Sequence, residues 1–427
     1  MKIKVLVIFL LILLINLFIG VVPSIFIAYF LIVTLVLCLS KYDWAFVFML
    51  LGTVIGAYFA NNGTRFIGVF CMIPSAVVLC SDLYKQVGKY MRIYLPMFIF
   101  ILICFQSAFF TTGGNYSTVK LSAMVGNVIV YIIAFTHFVF FRWKHSPFYI
   151  AISICLLCLF MANYMNELMG TRMTLDTFLT SFAGFREAIS EYRYHDEEAL
   201  VINYQVLGMY GCLAMIFACM KDAVKTKFLF LFVIIVSFVI IIYSSARQAF
   251  VSTAVVFLLI TIINSKSWLL RIGYLFVIFL CLFFWIYNLD SNSMSFLMGS
   301  AEGKGSVRSL IRNAAFSDFL SNPIYGIGFG RFFYDGKFGV NEHSLLIELL
   351  AETGLIGFVF FLFCLCRPIF YTLNRIKQNV ISYMPYLCIL IVYFIRFMVS
   401  SDLRESIILL IFVALLPYYY YNLNIKK

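Results

Sequence analysis

The chain alternates long apolar runs with short polar breaks, and nearly every run is close to bilayer length. A helix needs about 20 apolar residues to cross the hydrocarbon core. Runs of that kind fall at 4–20, 22–39, 44–60, 66–81, 93–110, 121–141, 148–166, 200–220, 228–243, 248–263, 269–288, 343–366, 383–400 and 406–421. They predict an all-α integral membrane protein with about 12–14 transmembrane helices, one or two of which could be re-entrant. A Gly-Val-Val-Pro stretch alone separates the first two runs, and SSARQ interrupts the pair at 228–263. The opening MKIKVLVIFLLILLINLFIG has the basic start and apolar core of a signal peptide. Its core is long and no small-x-small site follows, so an uncleaved first span is expected.

Two polar segments, about 167–199 and 289–342, are too long for simple turns, and such loops tend to carry function. Inside the second, VRSLIRNAAFSDFLS places Val307, Leu310, Ile311, Ala314 and Phe319 near one helical face, and Asn322-Pro323 should end that helix. No repeat of 20–50 residues is visible, and the chain reads as a single polytopic domain over 1–427.

Composition narrows the class. The chain is 64% apolar and 12% charged, against about half and about a quarter for a soluble domain. Its 49 Phe and 27 Tyr cluster at run ends, as an interfacial belt requires. The net charge of +12 does not indicate nucleic acid, because the basic residues lie between apolar runs and not on one soluble face. Topology and anionic lipid explain them better. With the N-terminus in the cytoplasm, the inner loops hold Lys2, Lys4, Lys41, Lys85, Lys89, Arg92, Arg142, Lys144, Lys221, Lys225, Lys227, Lys266, Arg271, Arg367, Arg375, Lys377, Lys426 and Lys427. The short outer loops hold only Arg65, Lys120, Arg247 and Arg404. That asymmetry puts both termini inside and both long segments outside.

No cofactor is expected. There is no Walker A motif, no HExxH and no serine nucleophile elbow, and GIGFG at 326–330 follows no strand. The 12 cysteines fall within or at the ends of apolar runs, so Cys155 and Cys158 read as soft packing residues, and neither a disulfide framework nor a metal site is indicated.

What remains on the outer face is basic and imidazole chemistry. Arg247, in SSARQAF, stands at the outer end of two spans, where a charge is expensive and marks a function more often than not. Arg308 and Arg312 lie one helical turn apart in the large loop; alone, they would read as a solvated face. His343 opens the run HSLLIELLAETGLIGFVFF and is the one histidine at an outer boundary. His137 lies within a span and reads as a packed or helix-bonded ring, while His145 and His195 read as a cytoplasmic turn and a solvated acidic stretch. Glu348 and Glu352 share a helix face, with His343 roughly 140° away from Glu348 at the helical pitch, so a His–Glu dyad on one helix is disfavoured. The glutamates could cap arginines from elsewhere, or sit as interfacial acids near a helix N-terminus. Guanidinium groups bind diphosphate bidentately, neutralising a diphosphate leaving group without a metal, and an imidazole takes a proton from a hydroxyl. Together these fit glycosyl transfer from a lipid diphosphate.

NPIYGIGFGRF followed by EHSLLIELLAETGLIG resembles the C-terminal signature of the O-antigen ligase and O-antigen polymerase superfamily. SSARQAF and GSVRSLIRNA resemble its arginine motifs, so the likeness covers about 244–360. It implies a GT-C-like, metal-independent glycosyltransferase of the bacterial inner membrane with a large, partly helical periplasmic loop. The donor would be an undecaprenyl-diphosphate-linked oligosaccharide and the acceptor a growing glycan, and a chain-length regulator is a conceivable partner. Carried over by motif, Arg247 and Arg308 would hold the diphosphate, with Arg312 and Glu348 also in the substrate site, and His343 would contact or deprotonate the acceptor hydroxyl. Family members, the ligases especially, often carry Asn after this His, where the present chain has Ser344. Repeat-unit polymerisation is the leading expectation, with ligation to lipid A–core beside it. A lipid-linked sugar transporter would require repeats and broken midplane helices, and an assembly protein would not need the Arg and His set.

Overall fold

The computed structural model describes residues 2–20, 22–58, 66–109, 114–169, 204–220, 227–244, 246–264, 304–331, 345–378, 380–400 and 403–419. Within them run α1 (Lys2–Ile19), α2 (Ser24–Cys38), α3 (Lys41–Tyr58), α4 (Phe66–Leu83), α5 (Val87–Phe109), α6 (Gly114–Phe140) and α7 (Pro147–Met169). There follow α8 (Tyr204–Ala218), α9 (Lys227–Ser244), α10 (Arg247–Asn264), α11 (Lys304–Ser321), α12 (Leu345–Gln378), α13 (Val380–Ser400) and α14 (Leu403–Tyr419). No strand occurs among the described residues. By length and hydropathy, six helical segments among them suffice to cross a bilayer: Lys2–Ile19, Cys71–Phe109, Ser117–Phe140, Pro147–Glu167, Leu345–Lys377 and Val380–Met398. Shorter apolar helices cover Gln205–Ala218, Phe228–Ser244, Gln248–Leu259 and Glu405–Tyr419. This is an all-α integral membrane protein.

Every apolar run expected to span lies on one of these helices, except 269–288, which is outside the described residues. Three details differ from the sequence reading. The run expected at 121–141 is a helix from Gly114, so Lys120 is not in an outer loop but inside α6 and fully buried. Hydropathy closes a run at its first charge, whereas a helix continues for as long as that charge finds a partner. Likewise α12 extends to Gln378 and carries Arg367, Arg375 and Lys377, all exposed, which were expected in a loop. In α11, Leu310 is 54% exposed and Ala315 is fully buried. The packed face is therefore Ile311, Ala314 and Ala315, whose small side chains seat against Ala351 and Ile347 of α12.

The chain divides into two compact units, each assembled from two separate stretches of sequence: residues 1–79 with 143–300, and 80–142 with 301–427. In the first unit α7 is central. Its apolar window is 94% buried, and α1, α2, α3, α8 and α9 pack around it. An apolar medium requires internal partners for polar groups, and asparagines provide them. Asn16 of α1 donates to Asn163 of α7 at 2.8 Å, Asn163 donates to the Leu13 carbonyl at 3.0 Å, and Asn166 donates to that of Leu17 at 3.1 Å. Tyr243 of α9 donates to Asn166 at 2.6 Å. Cys155 and Cys158 are buried in α7, the former 3.4 Å from the Ser237 hydroxyl.

In the second unit α14 is central, with α5, α6, α12 and α13 against it. Arg396 of α13, 3% exposed, meets Glu405 of α14 at 2.5 Å. His137 is packed, as expected, and its Nε2 lies 3.1 Å from the carboxylate of Asp82 on α4. His137 and Asp82 lie toward one end of this bundle, near the C-terminal ends of α6 and α4. The C-terminal end of α5 and the N-terminal ends of α6 and α12 come together elsewhere in the unit, through Ser107, Ser117 and Glu352.

Candidate functional site

The site of the second unit begins with a broken helix. Gly354 interrupts α12 with φ 62° and ψ −164°. A break there removes the α-helical bonds from the N–H groups of Leu355 and Ile356 to the carbonyls of Ala351 and Glu352. Four polar backbone groups are thereby exposed in an apolar surrounding, where each costs free energy if left unmade. The turn after α11 satisfies all four. Ile327 and Gly328 donate to the carbonyls of Ala351 and Glu352 at 2.8 and 3.2 Å, while Leu355 and Ile356 donate to those of Pro323 and Ile324 at 2.9 and 3.3 Å. Ser107 of α5 adds a hydrogen bond to the Glu352 carbonyl at 2.9 Å. The stretches NPIYGIGFG and LAETGLIG are thus one structural unit, in which each segment supplies the backbone partners of the other.

The glycines follow from this lacing. Gly326, Gly328 and Gly330 have φ of 71°, 111° and 78°. A Cβ on Gly326 would stand 2.6 Å from the Glu352 carbonyl carbon, and one on Gly354 would run into the Ile324 carbonyl oxygen. Both positions need positive φ and room for a crossing backbone. Gly326→Ala and Gly354→Ala are therefore expected to cost about 1–3 kcal/mol in backbone strain alone. Gly126→Ala, with nothing within 4 Å of its new methyl group, should be silent. Thermal unfolding of the detergent-purified variants measures the difference, and equal midpoints for Gly354→Ala and Gly126→Ala would contradict it.

Behind the turn lies a buried charge cluster. Lys120 Nζ is 2.5 Å from Glu348 Oε1 and 2.8 and 2.7 Å from the two carboxylate oxygens of Glu352, with all three side chains at most 1% exposed. It also lies 4.9 Å from the centre of the Phe329 ring, at cation–π range. Ser117, one turn before Lys120, donates to the Phe329 carbonyl at 2.7 Å, and the Phe329 amide donates to Ser107 at 3.0 Å. Five side chains from α5, α6 and α12 thus fix the glycine-rich turn and the first turns of α12 together. In front of the turn is a cleft of about 600 Å³. Gln106 and Ser107 of α5, Asn322, Tyr325, Arg331 and Thr353 supply its polar lining, with Ile103, Ile327 and Ile356 as apolar wall.

The turn and the broken helix lie in one matched segment. Residues 230–362 match the O-antigen ligase family model. Among curated proteins, none matches the chain. The match agrees with the O-antigen polymerase and ligase superfamily that the motifs resemble, and the apolar helices agree with a multi-pass membrane protein. The O-antigen ligase segment runs from α9 to just past the Gly354 break, so it contains the turn, both glutamates and Arg331 but not Lys120.

The expected site residues fall as follows. Glu348 is fully buried on Lys120, and a lysine from α6 is thus a shared partner of the two glutamates. Arg312 is exposed on α11, and Arg308 lies one turn earlier on the same helix. Arg247 is the first residue of α10, in the other unit. His343 lies outside the described residues, two positions before α12 begins. The long segment at about 167–199 also lies almost wholly outside them. Lys120, Ser107 and Arg331 were missed. A lone lysine flanked by an apolar run was a usable signal for the first.

Proposed function

We propose that this chain is a glycosyltransferase that polymerises undecaprenyl-diphosphate-linked repeat units of an O-antigen or capsular polysaccharide at the periplasmic face of the bacterial inner membrane. The observation that carries the reading is the O-antigen ligase match ending on a laced glycine turn. The lacing holds α12 at its Gly354 break beside a polar cleft. Arg247 and Arg308 hold the donor diphosphate and neutralise it as it leaves. His343 orients or deprotonates the acceptor hydroxyl, and Arg312 stands as reserve on the face of α11. Glu348 acts from behind the turn, through Lys120, by fixing α12. The positive-inside asymmetry supports a periplasmic site, because the cleft uses the C-terminal end of α5, opposite to the end that carries Lys89 and Arg92 and follows Lys85.

The experiment is complementation of a deletion strain with Arg247 variants, reading glycan ladder length beside membrane protein level. Arg247→Ala should abolish the ladder, and Arg247→Lys should shorten it, because a point charge lacks the bidentate fork. A ladder of normal length and yield from Arg247→Ala would remove Arg247 from the donor site. The ligase reading shares this chemistry and differs in acceptor. The matched family does not separate the two, and Ser344 departs from the Asn that the ligases especially carry.

A further inference from the structure

We propose that α11 is an interfacial helix: Phe316 and Leu320, with Ile324 of the turn, seat it in the surface of the bilayer, and Arg312 stands at the level of the lipid phosphates. The seating is independent of the transferase reading above. Only the assignment of one of those phosphates to the donor would rest on it.

α11 is not among the helices apolar enough to span, yet it carries two apolar faces. One packs on α12 through Ile311, Ala314 and Ala315. The other belongs to a ridge at i, i+4 spacing, Arg312, Phe316 and Leu320. Its apolar members lie roughly 140° from Ile311 and Ala315 at the helical pitch. Phe316 and Leu320 are 48% and 62% exposed, and Ile324, one further step along, is 55% exposed. Tyr325 beside it is exposed as well and is of the residue type that membrane interfaces favour. Single exposed apolar side chains are ordinary. These form a row, and the row continues a surface that faces lipid.

That surface belongs to α12, a spanning helix that exposes Leu355, Ile356, Val359 and Phe363. The hydrogen bonds that close the Gly354 break join the two rows, because the amides donating to the carbonyls of Pro323 and Ile324 are those of Leu355 and Ile356. The turn therefore sits at the depth of Ile356. From Ile356 to the exposed Arg367 and Arg375 of α12 is about 16 and about 28 Å of helix. The hydrocarbon core is about 30 Å thick. With either arginine at the opposite surface, Ile324 is no shallower than the edge of the hydrocarbon. A soluble partner does not reach a row that begins there, whereas an amphipathic helix sinks its apolar face about 5–10 Å into the boundary of headgroups and chains. Arg312 lies about 12 Å along the axis from Leu320, so a tilted α11 carries it up to the phosphates, to which its long stem can extend.

The test places a genetically encoded fluorescent amino acid, one site at a time, at position 313, 316, 320 or 359 of the full chain in nanodiscs of phosphatidylcholine and phosphatidylglycerol. Three quenchers are compared: a lipid with a nitroxide on its acyl chain, a lipid with a nitroxide on its headgroup, and aqueous iodide. Position 359, on the lipid face of α12, sets the standard. The ratio of acyl-chain to iodide quenching at 316 and at 320 should fall within about twofold of that standard, as expected for side chains sunk below the headgroups. The probe at 313, beside Arg312, should respond most to the headgroup lipid. Phe316 and Leu320 are both exposed, so each replacement spares the packing on α12 and checks the other. Stronger quenching of 316 and 320 by iodide than by either lipid would overturn the proposal, by placing the face in water. Protection from all three quenchers would also overturn it, by assigning the face to a second copy or another protein. A probe at 313 that responds most to the acyl-chain lipid would remove Arg312 from the phosphate level. No donor, acceptor or turnover enters the measurement, so its failure leaves the transferase reading standing, and failure of that reading leaves the quenching result unchanged.

Discussion

Replacing His343 with alanine should nearly abolish glycan extension, a loss of about 10²–10⁴-fold in rate if it serves as general base, while leaving the protein inserted at normal abundance. The residue stands two positions before α12, where the positive end of the helix dipole favours a neutral imidazole. The helix it leads is unusually well fixed. Glu348, on the first turn of α12, and Glu352, one turn on, both bind Lys120, and the Gly354 break is laced to the preceding turn. His343→Asn separates the roles, because an amide still accepts a hydrogen bond but takes no proton at neutral pH. A normal ladder from the Asn variant at normal membrane level would mean that His343 is not the base. His195→Ala should change the ladder little, as should His145→Ala, whose ring lies 3.6 Å from Asp43 in the other unit.

Lys120→Met should be the most destabilising single change in the second unit. It leaves two carboxylates in a site at most 1% exposed, and removing one partner of a buried ion pair costs about 3–5 kcal/mol. The expected result is a strong loss of membrane-fraction protein and a lower unfolding midpoint in detergent. The triple variant Lys120→Met, Glu348→Gln, Glu352→Gln removes the charges together and should recover most of the lost abundance, since uncharged replacements of buried ionic groups are often tolerated. If Lys120→Met accumulates and melts like the unaltered chain, the cluster does not hold α12. If the triple variant recovers abundance but not glycan extension, the charges position the reacting groups as well as the helix.

The helices were legible from hydropathy because membrane helices are set by length and composition, and the Asn-Pro stop after Ser321 was legible from local chemistry. The pairing of NPIYGIGFG with the Gly354 break was not. Each motif reads as a separate turn until the backbone hydrogen bonds show that one completes the other. Lys120 was misplaced for a similar reason. Its partners lie more than 220 residues along the chain, and hydropathy sees an isolated lysine as the end of a span. Arg331 sat beside the recognised glycines but drew no attention, because only the cleft in front of the turn gives it a role. The candidate arginines came from their place on the outer face and from motif resemblance, and side-chain periodicity located Ile311 and Ala314 correctly while including Leu310, which is exposed, and omitting Ala315, which is buried.

The most direct test of polymerisation is reconstitution of the purified chain in liposomes with undecaprenyl-diphosphate-linked repeat units and no lipid A–core. A polymerase forms a ladder of lipid-linked glycans and releases undecaprenyl diphosphate with each added unit, without added metal. Absence of any ladder, with transfer appearing only once lipid A–core is supplied, would contradict polymerisation and establish the chain as a ligase.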